Sequence, residues 1–346
     1  MLSVLTVAYP LAPVGPDAVG GAEQIASALD RALVAAGHRS TLLACAGSTA
    51  AGELISTGPL PRRLDESAKR RARSEHARRI DQLLKTRSFD LVHFHGVDAA
   101  DYLPAPGVPT VITVHLPAHW YPSALFAPRP ATVLVAVSQA ARRSFPSTGA
   151  AVRLIPNGVP DALFSARHAK RAFVLALGRI CPEKGFHLAL DAARQAELPL
   201  LLGGVAHPYP EHEAYFEAEI RPGLDRCRRY IGPLGFRRKR RLLAAARCLA
   251  MPSLAPETGA LAAIEALACG TPVVAFPNGA LAELVSHGRT GFLVNSVEEM
   301  AEALRAAASL KPEDCRAAAA PFREQAMAGA YLQLYGEMAA ARVHAL

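Results

Sequence analysis

Two glutamates in the segment Pro252–Val274 are spaced so that both could contact one ligand. Glu257 lies in a predicted turn, and Glu265 lies in the helix that follows, about 12 Å further along at 1.5 Å per residue. Carboxylates at that separation can bracket a diphosphate, one holding sugar hydroxyls and the other ribose hydroxyls. The alternative is a solvated glutamate followed by a carboxylate that favours the positive end of a helix dipole.

The residues between these glutamates would start the helix. Thr258, Gly259, Ala260 and Leu261 lie where backbone N–H groups have no partner within the helix, and such groups bind anions. Glycine also lets a ligand approach the backbone closely. We therefore count these residues among the candidate positions for binding the diphosphate-containing ligand.

Two positive charges follow a predicted strand in the segment Leu177–Gly185. Arg179 and Lys184 would lie at the carboxyl edge of a sheet, where they suit a departing diphosphate. The alternative is a surface arginine and a lysine paired with Glu183. No Asp-x-Asp occurs, so a metal-bound diphosphate has no obvious ligand pair, and we expect neither a metal nor a cofactor.

Two further candidates lie in the first half of the chain. Gly20 and Gly21 open the first long predicted helix and could let phosphate or sugar near the backbone, although glycines also simply make turns. His115 follows the predicted strand Thr110–Val114 and could hydrogen-bond a substrate. A single histidine is otherwise most often a structural side chain.

The elements that must position these residues alternate along the whole chain. Short β-rich runs alternate with helical patterns, which predicts an α/β protein of two doubly wound, Rossmann-like parallel-sheet domains facing a cleft. Pro156–Arg171 interrupts the pattern and marks the expected boundary. From Phe322 onward a helix is predicted, with one apolar stripe: Met327, Tyr331, Leu334, Tyr335 and Met338.

Composition narrows the functional classes. The 346 residues are 51% hydrophobic and 20% charged, without an apolar run of membrane-spanning length, so we expect a soluble protein. Six cysteines without C-x-x-C pairs fit a reducing, cytoplasmic setting.

The net charge of +8 is concentrated in two segments, Lys69–Arg79 and Arg237–Arg241. Such basic segments suit a polyanion or peripheral contact with an anionic membrane, but charged helical faces are usually only solvated. No aromatic interleaving argues for nucleic acid.

At these motifs the sequence resembles the retaining glycosyltransferases of family 4, which have the GT-B fold. Four segments match in order, and Phe322–Tyr335 resembles the family's closing helix. The matching segments are Gly20–Glu23, Ile155–Val159, Gly178–Gly185 and Glu257–Val274.

The resemblance implies metal-independent transfer from a nucleotide-sugar, with UDP favoured as the family's commonest nucleotide. Arg179 and Lys184 would grip the diphosphate, Glu257 the sugar and Glu265 the ribose, with His115 beside the reacting sugar. It also implies an acceptor-side domain (1–160), a nucleotide-sugar domain (161–322) and a C-terminal helix crossing back to the first domain (323–346). One departure is the position of the glycine, because Gly259-Ala260 stand where the family usually has Phe-Gly.

The acceptor is the least determined part of the prediction. We expect a small saccharide or natural product, bound by first-domain loops such as Tyr9–Gly20, Gly47–Arg63 and His95–Tyr102.

The sequence motifs indicate no carboxylate nucleophile, so we favour front-face attack on the sugar, assisted by the leaving phosphate. The alternatives are a non-catalytic nucleotide-sugar or polyanion-binding protein and a nucleotide-sugar epimerase of the same architecture.

Overall fold

Two parallel sheets organise the computed structural model, which describes residues 1–343. The strands are β1 Ser3–Val7, β2 Arg39–Ala44, β3 Glu53–Ser56, β4 Leu91–Phe94, β5 Thr110–Val114, β6 Thr132–Ala136, β7 Val152–Leu154, β8 Val174–Arg179, β9 Leu200–Val205, β10 Arg228–Tyr230, β11 Cys248–Met251, β12 Val273–Ala275 and β13 Gly291–Leu293. The first sheet has the order β3-β2-β1-β4-β5-β6-β7 and the second the order β10-β9-β8-β11-β12-β13.

Helices connect the strands, as parallel pairing requires. The α-helices are α1 Gly21–Ala35, α2 Glu66–Thr86, α3 Gln139–Arg143, α4 Asp161–Phe164, α5 Phe186–Gln195, α6 Pro210–Tyr215, α7 Phe236–Ala245, α8 Leu261–Ala268, α9 Leu281–Leu284, α10 Val297–Ala306, α11 Pro312–Ala319 and α12 Glu324–Val343. Within residues 1–343, no helix combines the length and the apolar character that crossing a membrane requires.

The chain divides into two compact units. Unit 1 comprises Met1–Gly158 together with helix α12 from Gln325 onward, and unit 2 comprises Val159–Glu324. Each unit holds one of the two parallel α/β sheets, which confirms the predicted fold class. The roles assigned to the domains from the family resemblance stay predictions.

The central strands are buried on both faces, as expected for parallel sheets covered by helices. All five residues of β5 and all four of β11 are buried, and apart from Thr110 and Thr113 all of their side chains are apolar. The apolar runs that stand out in the sequence are therefore the central strands of the two sheets.

Two sequence expectations are corrected by the structure. The segment Gly47–Arg63 is not wholly a loop, because it contains the edge strand β3, whose four half-exposed or exposed residues lack the apolar signal of a buried strand. Strand β8 extends to Arg179, which is therefore the last residue of the strand and not part of the loop after it.

The strand orders define one switch point in each sheet. Chain order reverses between β1 and β4 in unit 1 and between β8 and β11 in unit 2. In open parallel sheets, ligands bind beyond the carboxyl ends of the strands at such points. The end of β8 and the segment that follows it carry Arg179–Gly185, and the segment that follows β11 carries Ser253–Glu257; both belong to the predicted donor site.

Candidate active site

The loop after β8 is tied to the loop after β11. The backbone N–H groups of Leu254 and Ala255 donate to the carbonyl of Glu183 at 2.8 and 3.3 Å. Gly185 adopts φ +61°, and a Cβ there would lie 2.3 Å from the Pro252 carbonyl oxygen, so this close approach requires glycine. These contacts bring the two loops of the switch point together.

Lys184 and Glu257 form an ion pair between these loops. The Lys184 Nζ lies 2.5 Å from Glu257 Oε1, and the Ser253 hydroxyl donates to the same oxygen at 2.5 Å. The two charged side chains are 21% and 11% exposed, so the pair is reachable from solvent but largely shielded from it. The sequence alone does not indicate Ser253, whose role depends on a contact across the turn.

The backbone of Glu257 is fixed from its other side. The Ala280 N–H donates to the Glu257 carbonyl at 2.7 Å, and Gly279 adopts φ +64° with room for no Cβ beside that carbonyl. The Asn278 side-chain amide donates to the Ser253 carbonyl at 2.6 Å. The segment Asn278–Ala280 therefore supports the glutamate, a contribution that no motif in the sequence reveals.

Glu257 is held as a carboxylate. Burial by itself would raise its pKa, but the charge of Lys184, the hydrogen bonds from Lys184 and Ser253 and the charge of Arg179 together lower the pKa below its usual value. A charged carboxylate at this position can accept hydrogen bonds from ligand hydroxyls.

Arg179 is half-buried near these groups. Its charge contributes to lowering the pKa of both Glu257 and His207, which places it close to the ion pair. Among residues 1–343 no carboxylate lies within ion-pair distance of its guanidinium. Arg179 therefore keeps its charge available to an anion.

Glu265 is buried in α8 and ion-paired with Lys239 of α7. The Lys239 Nζ lies 2.5 Å from Glu265 Oε1, and the side chains are 12% and 5% exposed. Sequence reasoning grouped Lys239 with the charged run Arg237–Arg241 and so missed it. Helical spacing is the signal that could have found it, because Lys239 lies four residues before the buried Leu243.

The N-terminus of α8 has an unusual backbone. The helix begins at Leu261, and Ala260 before it adopts φ +43° and ψ +46°, the left-handed conformation that glycine adopts most easily. Gly259 is buried beside it, and Thr258 lies half-buried one residue earlier. The residue that takes the special conformation is thus Ala260, at the position where the family usually has its glycine.

In unit 1, His115 is paired with a second histidine. Its Nε2 lies 2.9 Å from Nδ1 of His95, and the two rings stack with centroids 5.1 Å apart. Burial lowers the pKa of His115 to about 3, so its imidazole is neutral near pH 7. The Tyr121 hydroxyl accepts from the backbone N–H groups of His115 and Leu116, which fixes the turn after β5.

Gly20, at the start of α1, makes room for an internal carboxylate. Gly20 is the N-terminal cap and Gly21 the first helical residue. A Cβ on Gly20 would overlap the carboxylate of Glu23, which lies back over the start of the helix. The anion near this helix N-terminus is thus the chain's own Glu23, while the donor-binding role of Gly20 and Gly21 stays a prediction.

The two basic runs differ in how their charges are balanced. On α2, several basic side chains pair with acids on the same helix, for example Lys69 with Glu66 at 2.8 Å. On α7, Arg237, Arg238 and Arg241 are exposed. Exposed arginines are compatible with a polyanionic partner or an anionic membrane, and these partners stay predictions.

Solved structures of similar shape define the class of the fold. A glycosyltransferase involved in avilamycin A biosynthesis, AviGT4, is 26% identical, with a TM-score of 0.72 and 98% of both chains covered. Sucrose-phosphate synthase from Thermosynechococcus elongatus is 21% identical, with a TM-score of 0.81 over 98% of this chain and 100% of that one. Anabaena HepE, solved with UDP and glucose, is 18% identical, with a TM-score of 0.75 over 97% and 100%. The architecture is that of the GT-B glycosyltransferases.

Family models match each half of the chain. The model described as Glycosyltransferase Family 4 matches residues 19–163, and the model described as Glycosyl transferases group 1 matches residues 171–309. The chain belongs to the family 4 glycosyltransferases.

Curated relatives match over shorter segments. The D-inositol 3-phosphate glycosyltransferase of Kribbella flavida is 39% identical over 40% of this chain, and that of Corynebacterium urealyticum is 32% identical over 54%. The matched segments span only 36% and 47% of those relatives' own lengths.

Proposed function

We propose that this chain transfers a sugar from a nucleotide-sugar to a small polyhydroxylated acceptor, with retention of the anomeric configuration and without a metal ion. The observation that carries the proposal is the Lys184–Glu257 ion pair at the switch point of unit 2, with Arg179 left unpaired beside it. Family membership and the position of the pair beyond the sheet edge support it.

The cations supply the chemistry for the leaving group. Arg179 and Lys184 would bind the donor diphosphate, and each charge-assisted hydrogen bond contributes roughly 1.5–3 kcal/mol. The Lys184 ammonium has three N–H donors, so it can hold Glu257 and a phosphate oxygen together. With both cations in place, we propose that the growing negative charge is stabilised by side chains alone.

The glutamates and the start of α8 would hold the rest of the donor. We assign the hydroxyls of the transferred sugar to Glu257 and those of the ribose to Glu265, with Lys239 orienting the second carboxylate. The N–H groups from Thr258 to Leu261 would donate to phosphate oxygens. His115, being neutral, is proposed to contact the reacting sugar by a hydrogen bond and not as an acid.

The proposed step is a front-face substitution. The bond between the sugar C1 and the diphosphate oxygen breaks, and the electron pair leaves with the diphosphate. The acceptor oxygen bonds to C1 on the same face, and its proton passes to the departing phosphate oxygen. No additional oxidant, reductant or cofactor is needed for the atoms to balance.

The names of relatives guide the choice of substrates. The curated relatives are named for D-inositol 3-phosphate, AviGT4 for an antibiotic pathway, and HepE was solved with UDP and glucose. We therefore propose a UDP-sugar as donor and a small polyol or saccharide as acceptor, with D-inositol 3-phosphate the first acceptor to test.

The test is an assay of the purified chain with UDP-, GDP- and ADP-sugars, each with and without D-inositol 3-phosphate or a saccharide panel. We expect acceptor-dependent release of nucleoside diphosphate and a product whose anomeric configuration, read by NMR, equals that of the donor. EDTA is expected to leave the rate unchanged. Binding without release of nucleoside diphosphate would indicate a non-catalytic binding protein, and loss of activity that Mg²⁺ or Mn²⁺ restores would contradict the metal-independent step.

A further inference from the structure

Three side chains of metal-ligating type meet in unit 2, where the loop after β8 that carries Lys184 lies near helix α6. Cys181, Glu183 and His212 each offer one ligand atom, and these atoms all lie within 4.8 Å of one another. Cys181 and His212 are buried, while Glu183 is half-buried. The proposed transfer reaction uses none of the three.

The three ligands come from two separate segments of the chain. Cys181 and Glu183 flank Pro182 at the start of a 3₁₀ turn, whereas His212 lies on α6. His212 comes 29 positions after Glu183 in the sequence, so the three residues meet only in the folded chain. The spacing of cysteine and histidine along the sequence therefore gives no metal signature.

The backbone around the cluster is fixed by its own contacts. The Lys184 N–H donates to the Cys181 carbonyl at 3.1 Å, and the Glu183 carbonyl accepts from Leu254. On the other side, the His212 ring packs against Tyr209 with centroids 5.0 Å apart. The ligands therefore converge on positions that the fold holds in place.

The donor set matches one metal better than others. One sulfur, one imidazole nitrogen and one carboxylate oxygen are ligands that Zn²⁺ accepts, with a fourth position open to water. Mg²⁺ and Ca²⁺ prefer oxygen ligands throughout. With Zn–S and Zn–N bonds of about 2.3 and 2.1 Å, the ligand atoms must close by roughly 1 Å, which side-chain rotation can supply.

We propose that Cys181, Glu183 and His212 form a Zn²⁺ site that ties the loop after β8, which carries Lys184, to helix α6. On binding, the Cys181 S–H bond breaks, an S–Zn bond forms and the proton passes to the solvent. The ion does not contact the diphosphate, and Lys184 is held by Glu257 without it. Removal of the ion by EDTA is therefore not expected to change the transfer rate.

The test is a Co²⁺ titration of the full chain after metal removal and dialysis, because a Co²⁺–thiolate bond gives a charge-transfer absorption band. We expect a band that saturates at one equivalent and disappears when Zn²⁺ is added. Cys181→Ser should abolish the band, and Glu183→Gln should weaken Co²⁺ binding at least tenfold. Cys227→Ser removes an exposed thiol and is the matched control that should keep the band.

Circular dichroism of each variant shows whether a lost band reflects lost folding. Absence of the band in the wild-type chain, or its loss in Cys227→Ser with retention in Cys181→Ser, would overturn the proposal. The titration contains no sugar donor, so its result is independent of whether the proposed transfer activity is found.

Discussion

Lys184 and Lys239 each pair with one glutamate of the candidate site, and we expect them to act at different stages. Lys184 contacts Glu257, and Lys239 contacts Glu265, both at 2.5 Å. If Lys184 faces charge that grows on the leaving diphosphate, it stabilises the transition state more than the bound substrate. Lys239 orients a ribose ligand, whose contacts are the same before and during reaction.

Lys184→Met is therefore expected to lower kcat by about 10²–10³, or about 2.7–4.1 kcal/mol of barrier. Lys239→Met should mainly raise the donor KM. Steady-state kinetics of both variants with varied donor checks the contrast, and the double variant Lys239→Met/Glu265→Gln controls for leaving Glu265 charged and unpaired. Equal effects on kcat would refute the assignment of separate roles.

Ala260 stores backbone strain at the start of α8. Its φ of +43° costs an L-residue about 1–2 kcal/mol, whereas the freedom of glycine in the unfolded chain costs about 0.5–1 kcal/mol. Ala260→Gly is thus expected to raise the free energy of unfolding by about 0.5–1 kcal/mol, measured by urea denaturation.

The matched control is Ala262→Gly in the same helix. Its backbone is helical, so the substitution should lower stability by about 0.5–1 kcal/mol. If both variants lose stability equally, the left-handed conformation of Ala260 contributes no strain.

Two buried tyrosines of helix α12 form hydrogen bonds to the first sheet. The Tyr335 hydroxyl lies 2.7 Å from His93 Nδ1, and the Tyr331 hydroxyl lies 2.8 Å from Thr113 Oγ1. His93 Nε2 in turn lies 2.8 Å from Thr113 Oγ1. The apolar stripe predicted on this helix is buried within unit 1, and its polar tips complete a hydrogen-bonded chain.

Tyr335→Phe should lower the free energy of unfolding by about 1–3 kcal/mol, because His93 is left with an unsatisfied buried nitrogen. Chemical denaturation followed by circular dichroism measures the change. Tyr230→Phe serves as control, since its half-exposed hydroxyl bonds the Gly204 carbonyl at 2.8 Å and water can partly replace it. If Tyr335→Phe lost less stability than this control, the buried hydrogen bonds of Tyr335 would not contribute as proposed.

For the whole molecule, buried histidines should make the fold sensitive to mild acid. Burial lowers the pKa of His76 to about 4 and that of His115 to about 3, and it also lowers the pKa values of His93 and His95 well below the usual value. All four belong to unit 1. The unfolded chain takes up protons on histidine below a pKa of about 6.5, whereas the folded chain does not.

Stability is therefore complete above pH 6.5 and is lost as the pH falls below it. At pH 5, each histidine that stays neutral in the folded chain lowers the free energy of unfolding by about 2 kcal/mol. Asp98 has the opposite effect on stability, because burial raises its pKa to about 6. Its single contribution is smaller than the combined effect of the four histidines. Calorimetry at pH 7 and pH 5 should show a clearly lower Tm at pH 5, and an unchanged Tm would contradict the neutral buried histidines.

Much of the architecture could be predicted because its signals are local. A central strand such as β11 is one continuous apolar run, so it is recognised without knowledge of its neighbours. The edge strand β3 is not, since only one of its sides is paired and its residues are half-exposed. Candidate residues such as Arg179 and Glu265 could be predicted for the same reason as β11, because each lies at a fixed offset from a recognisable element.

The sequence by itself determined the fold class, the family resemblance and the short segments in which the candidate residues lie. Only the tertiary structure decided which of them touch. Lys184 meets Glu257 across 73 positions, and His95 meets His115 across 20, because β8 lies beside β11 and β4 beside β5. Partner choice depends on strand order, and strand order follows from how the whole sheet packs and not from any one segment.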